Sequence, residues 1–166
     1  MTTEKKVLIA SVLLTIALLG GGTFLLTGGS SGPARVTVSQ SAKAFAQQRS
    51  YDFGQVSYQG ANVTRDFIIK NTGTDILRLM NIRTSCHCTK AQVIVNGETS
   101  PYFGMSGVSS WIGEIQPGKE GKLKVIFDPA YHGLGGVGPV SRLVNVETND
   151  ASNKNLEFSL TGTVTK

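Results

Sequence analysis

The residues that could do chemistry in this chain are few and lie close together. Cys86 and Cys88 are the only cysteines, and His87 between them is one of two histidines. In an extended strand residues two apart share a face, so both thiols would point one way and His87 the other. Such a backbone disfavours a disulfide between them. The spacing points to a soft metal, copper(I) or zinc, or to a redox or attachment site.

Two further side chains extend this candidate metal site. Met105 and His132 offer a thioether and an imidazole, so the predicted ligands are Cys86, Cys88, Met105 and His132, with His87 in reserve. A single Cys-x-Cys pair is weaker evidence for a metal than two Cys-x-x-Cys pairs, which close a tetrahedral site. The alternative, which the sequence alone favours, is that the cysteines are small apolar residues with one facing the core.

Catalytic motifs are not evident in the sequence. The glycines at 133, 135 and 138 match the spacing of a dinucleotide loop, but Pro139 and a predicted strand follow them, where that loop requires a helix. We therefore predict that the chain is not an enzyme. Tyr102, Phe103 and Trp111 are candidate binding residues, either as an exposed aromatic patch for a partner or packed against the domain.

The N-terminus predicts a membrane segment. Residues 7–26 carry no charge and follow Lys5 and Lys6. Twenty helical residues span about 30 Å, the thickness of the hydrocarbon core of a bilayer. The lysines favour a cytoplasmic N-terminus over 1–6, which places the rest of the chain outside the cytoplasm. A cleaved signal peptide is the alternative, and we favour the uncleaved anchor.

The remaining sequence predicts a flexible linker and one β domain. Residues 27–49 begin with a glycine, serine and proline stretch, so we predict a linker there. Residues 50–166 contain short apolar runs of period two separated by turn residues. This pattern predicts an all-β, immunoglobulin-like sandwich of about seven antiparallel strands. The net charge of +5 is too small for a nucleic-acid footprint.

Five short motifs carry a family resemblance over residues 50–164. In chain order they are Asp52-Phe53-Gly54, Asn71-Thr72-Gly73, Ser85-Cys86-x-Cys88-Thr89, Pro117-Gly118 and Thr148-Asn149-Asp150. As an ordered set they resemble the bacterial DUF1573 family, which is similar to immunoglobulin-like domains of the ASPM-SPD2-Hydin (ASH) type. His87 departs from the usual glycine, and residues 96–112 form an insertion.

The resemblance implies an immunoglobulin-like fold and an exported or envelope location. With the membrane segment, it leads us to expect an extracytoplasmic binding or scaffolding module tethered to the membrane. The expected partner is another envelope protein or a cell-surface polymer. Metal binding through the Cys-x-Cys pair is the alternative function.

Overall fold

The computed structural model describes Lys5, Ile9, residues 11–16 and residues 32–166. The chain divides into two units, 1–31 and 32–166. In the first, Lys5, Ile9 and residues 11–16 are helical, and the Thr15 hydroxyl donates to the Ser11 carbonyl. The rest of the predicted anchor over 7–26 lies outside the described residues. Within the described part of the chain, no helix is long and apolar enough to cross a bilayer.

The second unit is a sandwich of two five-stranded sheets. The first sheet has the order β1-β3-β8-β5-β6 and the second β2-β10-β9-β4-β7. The strands are β1 (Ala44–Phe45), β2 (Ser50–Ser57), β3 (Val63–Asn71), β4 (Leu77–Thr84), β5 (Thr89–Val95), β6 (Glu98–Thr99), β7 (Ile112–Ile115), β8 (Glu120–Phe127), β9 (Gly138–Thr148) and β10 (Asn155–Thr165). The prediction of an all-β sandwich is confirmed.

Alternation of apolar and polar side chains explains why these segments form strands. In β8 the side chains of Leu123, Val125 and Phe127 are buried, whereas Lys122 and Lys124 lie outward. The neighbouring β3 buries Phe67 and Ile69 in the same way. These inward rows of the first sheet pack against the second sheet, where the ring of Phe67 on β3 lies 5.0 Å from that of Phe158 on β10. Burial of these rows is the main source of stability for the fold.

One strand pair differs from the prediction of antiparallel sheets. Strand β2 pairs with β10 in parallel, whereas the other strand pairs of the described unit are antiparallel. The reason is that the chain leaves the first sheet after Phe45 and enters the second at Ser50, running alongside β10 in the same direction.

The folded unit also begins earlier than residue 50, within the segment where we predict a linker. Ala42, Ala44 and Ala46 are buried in the core, and β1 pairs with the end of β3. Small side chains at alternate positions fit where the chain crosses between sheets. They bury too little apolar surface to stand out as a strand among polar neighbours.

Candidate functional site

The Cys86–Cys88 segment forms a tight turn between β4 and β5, not a strand. The Thr89 N–H donates to the Cys86 carbonyl at 3.1 Å, and the Thr84 hydroxyl lies 3.0 Å from the carbonyl oxygens of both Cys86 and Thr89. Ser85 fixes the turn to β9, because its hydroxyl accepts a hydrogen bond from the Leu143 N–H at 2.9 Å. The prediction that the two thiols share one strand face is therefore wrong.

The two cysteines form a disulfide. We do not expect this bond from the sequence, because an extended strand disfavours a disulfide between residues two apart. Their Cα atoms are 5.2 Å apart, a separation within the usual range for a disulfide. The turn allows the bond because it rotates the second cysteine towards the first, and the Cys88 N–H lies 3.2 Å from Cys86 Sγ. Cys88 is buried, at 2% exposure, whereas Cys86 is half-buried.

A histidine and an arginine flank this disulfide. His132 Nε2 lies 3.3 Å from Cys86 Sγ, and Arg142 Nε donates to Cys88 Sγ at 3.0 Å. Arg142 also lies above the ring of Phe127, with its guanidinium carbon 5.8 Å from the centroid. Each sulfur thus has its own nitrogen neighbour, and the arginine places a permanent positive charge against the buried one.

The loop after β8 positions His132. It leaves β8 at Asp128, whose N–H donates to the Cys88 carbonyl at 2.9 Å, so the loop is tied to the cysteine turn. The ring of His132 packs edge-on against Tyr131. The short 3₁₀ helix Gly133–Gly136 follows, and a Cβ at Gly136 would approach the His132 Cβ to 2.9 Å. The glycines at 133, 135 and 138 therefore lie in this short helix and at the start of β9, and they do not form a dinucleotide-binding loop.

Three of the four predicted metal ligands come together. The ligand atoms of Cys86, Cys88 and His132 all lie within 4.8 Å of one another. Met105 is not part of this group and is 47% exposed in the loop after Phe103. His87 is exposed at the turn and lines a cleft of 160 Å³ together with Cys88 and Tyr131.

The three predicted binding aromatics do not form one exposed patch. Phe103 is buried at 6% exposure and Trp111 packs against it, with ring centroids 5.4 Å apart. The backbone of Phe103 exchanges two hydrogen bonds with Ala91, which explains why this part of the insertion is held against the first sheet. Tyr102 alone of the three is exposed, at 59%.

Sequence reasoning missed Arg142. Nothing in its local sequence distinguishes it from the other arginines of the chain. Its position depends on the pairing of β4 with β9, which sets Thr84 opposite Val144 and so brings residue 142 beside the cysteine turn. A register between strands sixty residues apart cannot be read from one sequence.

The outer face of the first sheet is a second candidate surface, which we call the lysine face. It comprises the outward side chains of the central strands β3, β8 and β5. These include four lysines and two carboxylates: Lys70, Lys90, Lys122, Lys124, Asp66 and Glu120. Lys122 Nζ forms an ion pair with Asp66 at 3.1 Å. The exposed side chain of Ile68 lies among these charges, so the face is both basic and partly apolar.

Comparison with solved structures supports the fold. A crystal structure of a protein of unknown function from Porphyromonas gingivalis W83 is similar over 78% of this chain, with a TM-score of 0.58 and 20% identity. This chain spans about half of that protein, 50% of its length. The seventh ASH/PapD-like domain of human CEP192 matches over 84% of this chain and 97% of its own, with a TM-score of 0.49 and 18% identity.

Comparison of sequences finds one family model that matches part of the chain. None of the curated proteins matches this chain. The family model of DUF1573, described as a protein of unknown function, matches residues 44–100. That segment runs from β1 to just beyond β6 and includes the cysteine turn. It thereby confirms the resemblance to DUF1573 that the ordered motifs predict.

Proposed function

We propose that the chain is a non-enzymatic binding module, anchored to the membrane and exposed outside the cytoplasm, which holds an acidic segment of another envelope protein. The observation that carries this proposal is the lysine face. Its four lysines outnumber its two carboxylates, and the side chains lie outward on a sheet whose other side is filled by the core. Charge complementarity would select an acidic partner and speed its association.

The membrane anchor is part of this proposal. Its support is the described helical stretch, in which Val12, Leu13 and Leu14 are exposed apolar residues. The uncharged run over 7–26 and the preceding Lys5 and Lys6 supply the length and the orientation signal.

Zero-length crosslinking tests the proposed partner. A carbodiimide joins a lysine amine to a carboxylate in contact with it, so intact envelopes should yield a crosslinked species containing this chain. Lys90→Gln with Lys124→Gln removes two charges from the lysine face and should abolish that species. Lys154→Gln with Lys166→Gln, which removes two charges elsewhere, should leave it unchanged. Equal crosslinking in both double variants would refute the lysine face as the binding surface.

A second candidate function, metal binding, is favoured by the grouping of Cys86, Cys88 and His132. It requires that the disulfide first be reduced, because thiolates are the ligands that soft metals take. Anaerobic titration of the reduced full chain with copper(I) should show one tight site that is lost in the double variant Cys86→Ser and Cys88→Ser. Identical titrations of the two proteins would exclude it.

A further inference from the structure

We infer that the Cys86–Cys88 disulfide is a thiol–disulfide exchange site, which oxidises a dithiol of a partner protein. The inference goes beyond the proposed binding function and rests on a separate part of the molecule. Its basis is the asymmetry of the two sulfurs, since one is accessible and the other is buried beside a fixed cation.

Exposure determines which sulfur is attacked. Exchange begins when a thiolate attacks one sulfur of a disulfide, and access decides which one. Cys86 is half-buried at the surface of the turn, whereas Cys88 is 2% exposed. An incoming thiolate therefore reaches Cys86 Sγ and forms the mixed disulfide there, while Cys88 Sγ leaves.

Charge then assists departure of the leaving sulfur. As the bond breaks, negative charge develops on Cys88 Sγ, and Arg142 Nε already donates to that atom at 3.0 Å. The guanidinium brings a full positive charge to that atom. A hydrogen bond that strengthens as charge develops lowers the barrier to the step. The same positive charge repels a metal cation at Cys88, and this favours thiol–disulfide exchange over metal binding at the two cysteines.

The complete reaction balances without a further reagent. The partner's first thiolate bonds to Cys86 Sγ and the Cys86–Cys88 bond breaks. The partner's second thiolate then attacks its own sulfur in the mixed disulfide and releases Cys86, whose Sγ lies 3.3 Å from His132 Nε2. Two electrons pass from the partner to this chain. The partner leaves as a disulfide, Cys86 and Cys88 become thiols, and the two thiol protons of the partner end on them.

Single-turnover kinetics of the full chain in detergent micelles test the inference. The probe is a reduced synthetic peptide with two cysteines, and acid quenching with alkylation and mass spectrometry follows both disulfides. We expect one peptide disulfide to form for each Cys86–Cys88 bond lost. Arg142→Gln should slow this step roughly tenfold, the effect of losing one charge-assisted hydrogen bond. Arg83→Gln, an exposed arginine on β4, is the matched control and should react like the unaltered chain.

A second measurement keeps the inference testable if Arg142→Gln disturbs folding. In Cys88→Ser, oxidised glutathione should form a mixed disulfide at Cys86. In Cys86→Ser, the buried Cys88 should react at least about tenfold more slowly. Two outcomes would overturn the inference. One is that Cys86 in Cys88→Ser and Cys88 in Cys86→Ser both remain free thiols in excess oxidised glutathione. The other is that Arg142→Gln and Arg83→Gln oxidise the peptide at the same rate.

Discussion

One residue of the ordered sequence motifs, Asn71, holds several parts of the sandwich together. Asn71 is completely buried and uses both ends of its side-chain amide. Its Nδ2 donates to the carbonyls of Asp75 and Ile115, at 2.8 and 2.9 Å, and its Oδ1 accepts from the Gly73 N–H at 3.0 Å. One side chain therefore closes its own turn and ties it to β7. The Asn71-Thr72-Gly73 motif, which predicts a turn in the sequence, thus also ties the two sheets together.

Gly73 lies in this turn because there is no room for a side chain. The turn bonds back onto residues 41–43, where the Thr72 N–H donates to the Lys43 carbonyl at 2.9 Å. A Cβ at Gly73 would come within 2.6 Å of the Lys43 backbone nitrogen and even closer to the Ser41 carbonyl. Gly73→Ala must therefore push two backbone segments apart, and we expect a loss of about 1–3 kcal/mol in the free energy of unfolding.

Urea unfolding of the Gly73→Ala chain provides the measurement. Gly104→Ala is the matched control, because nothing lies within 4 Å of its added Cβ and its backbone is not in the left-handed region. The control should unfold at the same urea concentration as the unaltered chain. If both variants shift equally, close approach of the backbone is not the reason for glycine at position 73.

At the scale of elements, the turn between β9 and β10 holds the early segment that carries β1. Asp150 is completely buried in this turn. Its carboxylate accepts from the Ala44 N–H at 2.9 Å and from the Ser152 N–H at 2.8 Å, and Lys43 Nζ lies 3.6 Å away. The first strand is only two residues long, so this carboxylate supplies much of what keeps it in the sandwich.

Asp150→Asn tests this attachment. The substituted amide has one acceptor oxygen instead of two, and turning its NH₂ group towards Ala44 leaves the buried Ala44 N–H without a partner. We expect a loss of about 2 kcal/mol in the free energy of unfolding, the cost of one unsatisfied buried donor. Glu157→Gln, at an exposed position of β10, should be neutral. Amide hydrogen exchange should show earlier opening of residues 42–46 in Asp150→Asn alone, and unchanged protection there would contradict the role of Asp150.

Strands could be predicted from the sequence where alternation is strong and local, as in β3 and β8. The features that the sequence did not reveal depend on distant partners. Ala42 and Ala44 are core residues only because β3 and the β9–β10 turn lie beside them. The cysteine turn ends β4 because Thr84 and Ser85 bond to Thr89 and Leu143. Of the candidate site, the cysteines and His132 were found by residue type, whereas Arg142 required a strand register.

At the scale of the whole molecule, two carboxylates make the stability of the folded state depend on pH. Hydrogen bonds from the Ser39 hydroxyl and the Ile76 N–H lower the pKa of Asp75. Burial by itself would raise the pKa of Asp150, but the N–H groups of Ala44 and Ser152, the Asn153 amide and the charge of Lys43 outweigh it, so its pKa is also lowered. A depressed pKa means that the folded state binds its proton less tightly than the unfolded state.

The sign of the pH effect follows from those shifts. The stability that these carboxylates contribute is fully present above the unfolded pKa, about 3.9, and is lost as pH falls through the folded values below it. The sandwich should therefore keep its melting temperature down to about pH 4 and lose stability below that. Asp150→Asn should show a smaller loss between pH 5 and pH 3 than Glu157→Gln does. Parallel melting curves of the two variants across this range would contradict the assignment to Asp150.

The proposed anchor would determine where this domain works, and alkaline carbonate extraction of cells that make the full chain tests it. An uncleaved apolar helix over 7–26 should keep the protein in the membrane pellet at its full mass, whereas a cleaved signal peptide would release a shorter protein. Leu13→Arg with Leu14→Arg puts two charges into the apolar run, each costing about 2.5–3.5 kcal/mol at the centre of a bilayer, and should move the protein to the supernatant. Val36→Arg with Val38→Arg, beyond the run, is the control and should stay in the pellet. Release of the unaltered chain would place the sandwich free of the membrane and remove the tether from the proposed function.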